Sequence, residues 1–161
     1  MNKQSQAFKP SDPKITIRPV SMEDVTALHP LWPNRTQDEV FRLANRILKQ
    51  QHQQRGLGVV IILNKKLVGY GQFTLWKKTA EIADLAVLEE YRGQGIGTKL
   101  IQHLMQVAKD KYATHAEIGV AEINHRALAL YRRLGFEPRH SYQAGRGDKR
   151  EAIIYLQLAL R

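Results

Sequence analysis

The sequence predicts an α/β fold, a mixed sheet with helices on both faces. Three observations carry that reading. The middle of the chain alternates apolar runs with short turns, the pattern of antiparallel hairpins. The second half switches between strand-like and helix-like apolar spacing, the pattern of strand–helix–strand units. The chain has 161 residues, 43% of them hydrophobic and 25% charged, which suits one globular domain with a sizeable core.

Each element has a local reason. Residues 1–12 hold no apolar core and are expected to form a disordered leader, with a single domain over 13–161. Lys14–Arg18 alternates as a first strand. Ser21 and Asp24 have capping-box spacing for a helix ending near His29, before Pro30. A second helix is expected over Asp38–Gln53, with Val40, Phe41, Ala44, Ile47 and Leu48 inward. Leu57–Leu63, Leu67–Trp76 and Thr79–Leu88 read as three strands joined by Asn64-Lys65-Lys66 and Lys77-Lys78. Gly95–Lys111 is helical, with Ile96, Leu100, Ile101, Leu104, Met105 and Ala108 on one side. Ala116–Val120 is a strand and Asn124–Leu134 a helix. Two last strands, Phe136–Gln143 and Ala152–Leu160, flank the turn at Gly145-Arg-Gly-Asp148. The order is β-α-α-β-β-β-α-β-α-β-β.

The segment Arg92-Gly93-Gln94-Gly95-Ile96-Gly97 falls where a strand gives way to a helix. Glycines there let several N–H groups converge at the positive end of a helix dipole, which suits phosphate oxygens. The spacing is neither the dinucleotide G-x-G-x-x-G nor the Walker order, since Thr98 precedes Lys99. What remains is R-x-x-G-x-G, on Arg92, Gly95 and Gly97. A second pattern follows: Asn124, Ala127, Tyr131, Gly135 and Phe136 spell N-x-x-A-x-x-x-Y-x-x-x-G-F. Asn124 suits an N-cap and Gly135 a left-handed helix end.

Together these two segments resemble the GNAT superfamily of N-acetyltransferases, motif by motif from Glu81 to Phe136. The resemblance implies a GNAT-like fold in the element order above. It implies acetyl-CoA as acyl donor and direct transfer to a primary amine of a small molecule, peptide or protein. Cofactor contacts would come from Leu85, Ala86, Val87, Arg92, Gly93, Gln94, Gly95, Ile96, Gly97, Thr98, Asn124, Ala127 and Tyr131. Tyr131 would be the acid at the CoA sulfur. Glu81 is the base expected, in an otherwise apolar strand where a carboxylate is costly. Asp84 is the alternative base. Strict alternation puts it on the opposite sheet face from Glu81, unless a β-bulge intervenes. A water relay could replace either. Ribosomal-protein alanine acetyltransferases carry a glutamate one strand later, where this chain has Gly119.

Composition narrows the alternatives. There is no cysteine, hence no disulfide and no thiol nucleophile. The histidines, at 29, 52, 103, 115, 125 and 140, lack metal-ligand spacing, so no metal is expected. No apolar run approaches the ~20 residues that span a bilayer, and a cytoplasmic location is expected. The net charge is +10, and Asn124–Arg150 holds seven Lys/Arg against two acids. That excess suits CoA phosphates, an acidic partner or RNA, but no nucleic-acid motif accompanies it. It weighs against a polycationic acceptor such as a polyamine. A non-catalytic CoA-binding protein and a basic RNA- or ribosome-associated protein remain alternatives, and a homodimer is compatible.

Overall fold

The structure is a computed structural model, and it describes residues 14–161. The expected leader at 1–12 lies outside the described residues. The elements are β1 (Ile15–Pro19), α1 (Val25–Leu28), α2 (Gln37–His52), β2 (Gly56–Leu63), β3 (Lys66–Trp76), β4 (Thr79–Val87), α3 (Ile96–Asp110), β5 (His115–Ala121), α4 (His125–Arg133), β6 (Glu137–Ala144) and β7 (Glu151–Ala159). Short 3₁₀ turns flank α1 and precede α3. The strands form one seven-stranded sheet in the order β1-β2-β3-β4-β5-β7-β6. Only β4 and β5 run parallel; the other neighbours are antiparallel. That parallel pair needs a crossover, and α3 supplies it.

Helix α2 starts at a full capping box: Thr36 and Glu39 each bond the other's backbone N–H, at 3.1 and 2.7 Å. Its buried stripe is Val40, Leu43, Ala44 and Ile47. Phe41, expected inward, is 44% exposed. It follows Val40 by one residue, about 100° around the helix, and so lies off the stripe. Helix α3 buries Ile96, Leu100, Ile101, Leu104 and Ala108 against the sheet. Each such leucine stabilises the fold by about 1.5–3 kcal/mol. Atoms built onto the glycines of β2 and β3 show the layering. A Cβ at Gly58 would meet Ile47 of α2, whereas one at Gly69 or Gly71 would meet Leu100 or Leu104 of α3. The two long helices therefore cover opposite faces.

Helix α1 is shorter than the spacing suggests, because Met22–Asp24 form a 3₁₀ turn ahead of it; its end near His29, before Pro30, is as expected, with a second 3₁₀ turn at His29–Leu31. Its entry is held by Asp24. Arg18 Nη1 and Nη2 donate to the two Asp24 oxygens at 2.8 and 2.7 Å, and the Ser21 N–H donates at 2.8 Å. The Arg18 bond, opposed by burial, lowers the Asp24 pKa. A carboxyl lowered on folding contributes stability above its unfolded value of about 3.9 and loses it as pH falls through the folded value. Asp24→Ala is therefore expected to cost about 1–2 kcal/mol at pH 7. The difference in melting temperature from the parent should shrink as pH drops below about 4. A pH-independent difference would assign the loss to packing alone.

Candidate active site

The site begins where the sheet splits. The β4–β5 ladder pairs only Thr79–Ile82 with His115–Ile118, although both strands continue. The cause lies on the other edge of β4. Tyr70 pairs with Ala86 and Gln72 with Ala83, so Asp84 and Leu85 together face Gly71. That is a β-bulge, and it bends β4 away from β5. Asp84 takes the extra turn in a left-handed conformation, φ +53°. Aspartate tolerates this better than most residues. Arg35 anchors it at 3.1 Å and lies over the Trp32 ring.

A cleft of about 550 Å³ occupies the split. Leu85, Ala86 and Val87 line one side, the first turn of α3 another, and Asn124, Ala127, Leu130 and Tyr131 of α4 a third. Arg92, Gly93, Gly95, Ile96, Gly97 and Thr98 also face it; Gln94 does not. Arg92 Nε donates to the Val87 carbonyl at 3.1 Å, tying the loop to the end of β4. Gly95 is the N-cap of α3 with φ +82°, and nothing lies within 4 Å of a Cβ built there. The first intrahelical bond runs from Lys99 N–H to Gly95. Among the described residues, the N–H groups of Gly93 through Thr98 donate to no protein acceptor. A row of free donors at a helix N-terminus is an anion cradle.

Asn124 caps α4 by accepting from Ala127 N–H at 3.2 Å. Tyr131 is 8% exposed and packs edge-on against Phe136, 6.2 Å between centroids. Burial pushes its phenol above the ordinary value, so it is a neutral donor at physiological pH.

A family model described as "Acetyltransferase (GNAT) family" matches residues 22–136. The chain belongs to the GNAT acetyltransferase family. A thialysine N-ε-acetyltransferase from Bos taurus is 40% identical over 43% of this chain and 44% of its own length. A putative [ribosomal protein bS18]-alanine N-acetyltransferase from Bacillus subtilis is 31% identical over 60% of this chain and 64% of its own. The matches thus span about a third to just under two thirds of the length of the curated relatives. Among solved structures, a putative acetyltransferase from Salmonella typhimurium with its cofactor acetyl-CoA superposes with a TM-score of 0.73. It is 21% identical and covers 91% of this chain and 94% of that one.

Within this GNAT fold the two carboxylates share a face. Glu81 stands opposite Thr74, whose hydroxyl donates to Gln50 of α2. Asp84 meets Arg35 above Trp32, which packs edge-on against Tyr70. A Cβ at Gly58 would touch both Tyr70 and Ile47, so Tyr70 also faces α2. The strict alternation expected from the sequence fails because Asp84 is itself a bulge residue, turned by its left-handed backbone. Neither carboxylate lines the main cleft. Asp84 is engaged by Arg35, whereas Glu81 has no hydrogen bond or ion pair among the described residues.

Sequence reading missed Arg126, Arg133 and Leu130, which line the cleft. The Arg126 guanidinium lies 3.4 Å from a Cβ built on Gly93. The signal was present: 126, 130 and 133 recur at i, i+4 and i+7, one helix face. Those arginines were counted as a diffuse charge excess instead. Leu31 and Trp32 close the opposite end of the cleft. Among the described residues no group of His, Asp or Glu is arranged to hold a metal, and no helix is long and apolar enough to cross a membrane.

Proposed function

We propose that this GNAT protein is an acetyl-CoA-dependent N-acetyltransferase that moves an acetyl group directly to a primary amine of a small molecule, peptide or protein. The row of free N–H groups from Gly93 to Thr98, opening into the split between β4 and β5, carries the reading. It fits a pyrophosphate: the donors are consecutive, Gly95 leaves open space, and Arg92 and Arg126 add positive charge beside them. Asn124, Ala127 and the edge of β4 along Leu85–Val87, released from β5 though still paired to β3, are positioned for the pantetheine arm. Bound acetyl-CoA supplies an activated acetyl thioester.

The chain supplies the proton transfers. Glu81 takes a proton from the acceptor's ammonium, so that the nitrogen lone pair can form the new C–N bond as the C–S bond breaks. Its free oxygens favour it over Asp84, which Arg35 already engages. The N–H groups within Leu85–Val87 that point away from β3, into the split, offer donors to the carbonyl oxygen. Tyr131 gives its phenolic proton to the departing sulfur and is reprotonated from solvent, which also receives the second proton lost by the acylated nitrogen. The relatives' names span thialysine and a ribosomal-protein alanine, which supports amine acylation and leaves several acceptor types to test.

The test is an acetyl-CoA-consumption screen across polyamines, amino acids and short peptides. Turnover with at least one amine is expected. Stabilisation by acetyl-CoA with no turnover would favour a non-catalytic CoA-binding role instead.

Tyr131→Phe keeps the ring and its contact with Phe136, so little stability is lost. A thiolate is a fair leaving group, and a fall in kcat of about tenfold to a hundredfold is expected, with acetyl-CoA affinity nearly unchanged. Parental turnover in this variant, with chemistry shown to limit the rate, would reduce Tyr131 to a packing residue.

A further inference from the structure

Strand β7 carries Tyr155 opposite Gly119 of β5 on one side and His140 of β6 on the other. A Cβ built on Gly119 would lie 3.0–3.3 Å from three atoms of the Tyr155 side chain, its hydroxyl oxygen among them. The ring therefore leans off its own strand and covers the backbone of β5. A methyl group at 119 would crowd it, and the ring would have to give by a few tenths of an ångström. From β6, His140 stacks on the ring at 5.0 Å and 10°, and Tyr142 at 5.7 Å and 24°. Two aromatic neighbours fix the tilt that carries the hydroxyl towards β4.

The next strand past β5 is β4, and the ladder between them ends at Ile82 and Ile118, one residue before Gly119. The Tyr155 hydroxyl thus arrives at the mouth of the split. Gly119 and Glu117 are two residues apart on β5, and so share a face. Glu117 neighbours Glu81 in the parallel ladder and accepts from Gln157 at 3.0 Å. Hydrogen bonding to Tyr142 first, then burial and the negative charge of neighbours including Glu81 and Glu117, push the Tyr155 phenol up to about 12. It stays neutral, with an oxygen able to accept. In a chain of net charge +10, this face gathers Glu81, Asp84 and Glu117. With Asp84 paired to Arg35, Glu81 and Glu117 supply the negative charge here, against the global excess that weighs against cationic acceptors.

We infer that Tyr155, laid over Gly119, is an acceptor-binding residue: its hydroxyl oxygen and the Glu81 carboxylate together hold a primary aliphatic ammonium at the mouth of the β4–β5 split. This rests on the acetyltransferase reading. An ammonium has three N–H donors and a full charge. Glu81 takes one donor with the charge, and the phenol oxygen takes another. The proton then leaves along the Glu81 contact, while the Tyr155 contact keeps the nitrogen in place.

The experiment measures steady-state kinetics at saturating acetyl-CoA with spermidine, L-lysine, thialysine and an alanine-initiated tetrapeptide. The acceptor with the highest kcat/KM is then used for the variants. Tyr155→Phe is expected to raise that amine's KM about tenfold or more, the size of one hydrogen bond to a charged group, with kcat within about threefold. The melting-temperature rise given by acetyl-CoA stays as in the parent. Gly119→Ala displaces the ring and moves KM in the same direction, and adding Tyr155→Phe to it costs little more. An amine KM within about twofold of the parent in Tyr155→Phe overturns the inference. So does a parent chain that acetyl-CoA stabilises but that acetylates none of the four amines. Failure of acetyl-CoA to stabilise the parent overturns the acetyltransferase reading, and this inference with it.

Discussion

Gly95→Asp is expected to yield a folded protein that acetyl-CoA no longer stabilises. Gly95 is the N-cap of α3, at φ +82° and with open space beside it. Aspartate is among the residues that best tolerate a left-handed backbone, and it is a favoured N-cap. The helix therefore survives, and its new carboxylate accepts from the same N–H groups that a pyrophosphate would use. It also repels the phosphates. A loss of acetyl-CoA affinity of about a hundredfold or more follows from displaced charge-assisted bonds plus like-charge repulsion. Gly95→Ala separates strain from charge, since it adds at least as large a backbone cost without the carboxylate. A melting curve for each, with and without acetyl-CoA, checks the point. An undiminished shift in Gly95→Asp would mean that the cradle does not hold the phosphates.

Glu81→Gln carries the second large effect. The variant keeps side-chain shape and removes the proton acceptor, so kcat is expected to fall about 10²-fold or more near neutral pH. Acetyl-CoA binding stays intact, because Glu81 lies outside the cleft lining. An aliphatic ammonium has a pKa near 10.4, so the free amine becomes abundant as pH rises and a base matters less. The deficit should shrink steadily towards pH ~10. Asp84→Asn gives the contrast. It weakens the ion pair with Arg35 at the bulge, and a stability loss without this pH pattern is expected. If Asp84→Asn shows the alkaline rescue and Glu81→Gln does not, the base is Asp84.

The element order and the glycine loop were legible because their signals are local. Apolar period, the cap at Asn124 and the left-handed Gly135 ending α4 depend on residues a few positions apart, whereas the capping box at Thr36 was not read. What else escaped depends on pairing across strands. The bulge at Asp84 and Leu85 exists only in register with Gly71 of β3, and it decides which face Asp84 occupies. Gly119 read as a missing glutamate. Its meaning appears only when β7 brings Tyr155 over it. Phe41 shows a smaller limit, since one position on a helix separates the core stripe from its flank.

The central claim is that the cleft between the split strands binds acetyl-CoA through the Gly93–Thr98 cradle. Calorimetric titration of the purified protein with acetyl-CoA tests it most directly. Saturable one-to-one binding is expected in the parent chain, lost in Gly95→Asp and retained in Glu81→Gln. No detectable binding to the folded parent at millimolar acetyl-CoA, or equal binding by the parent and Gly95→Asp, would contradict it.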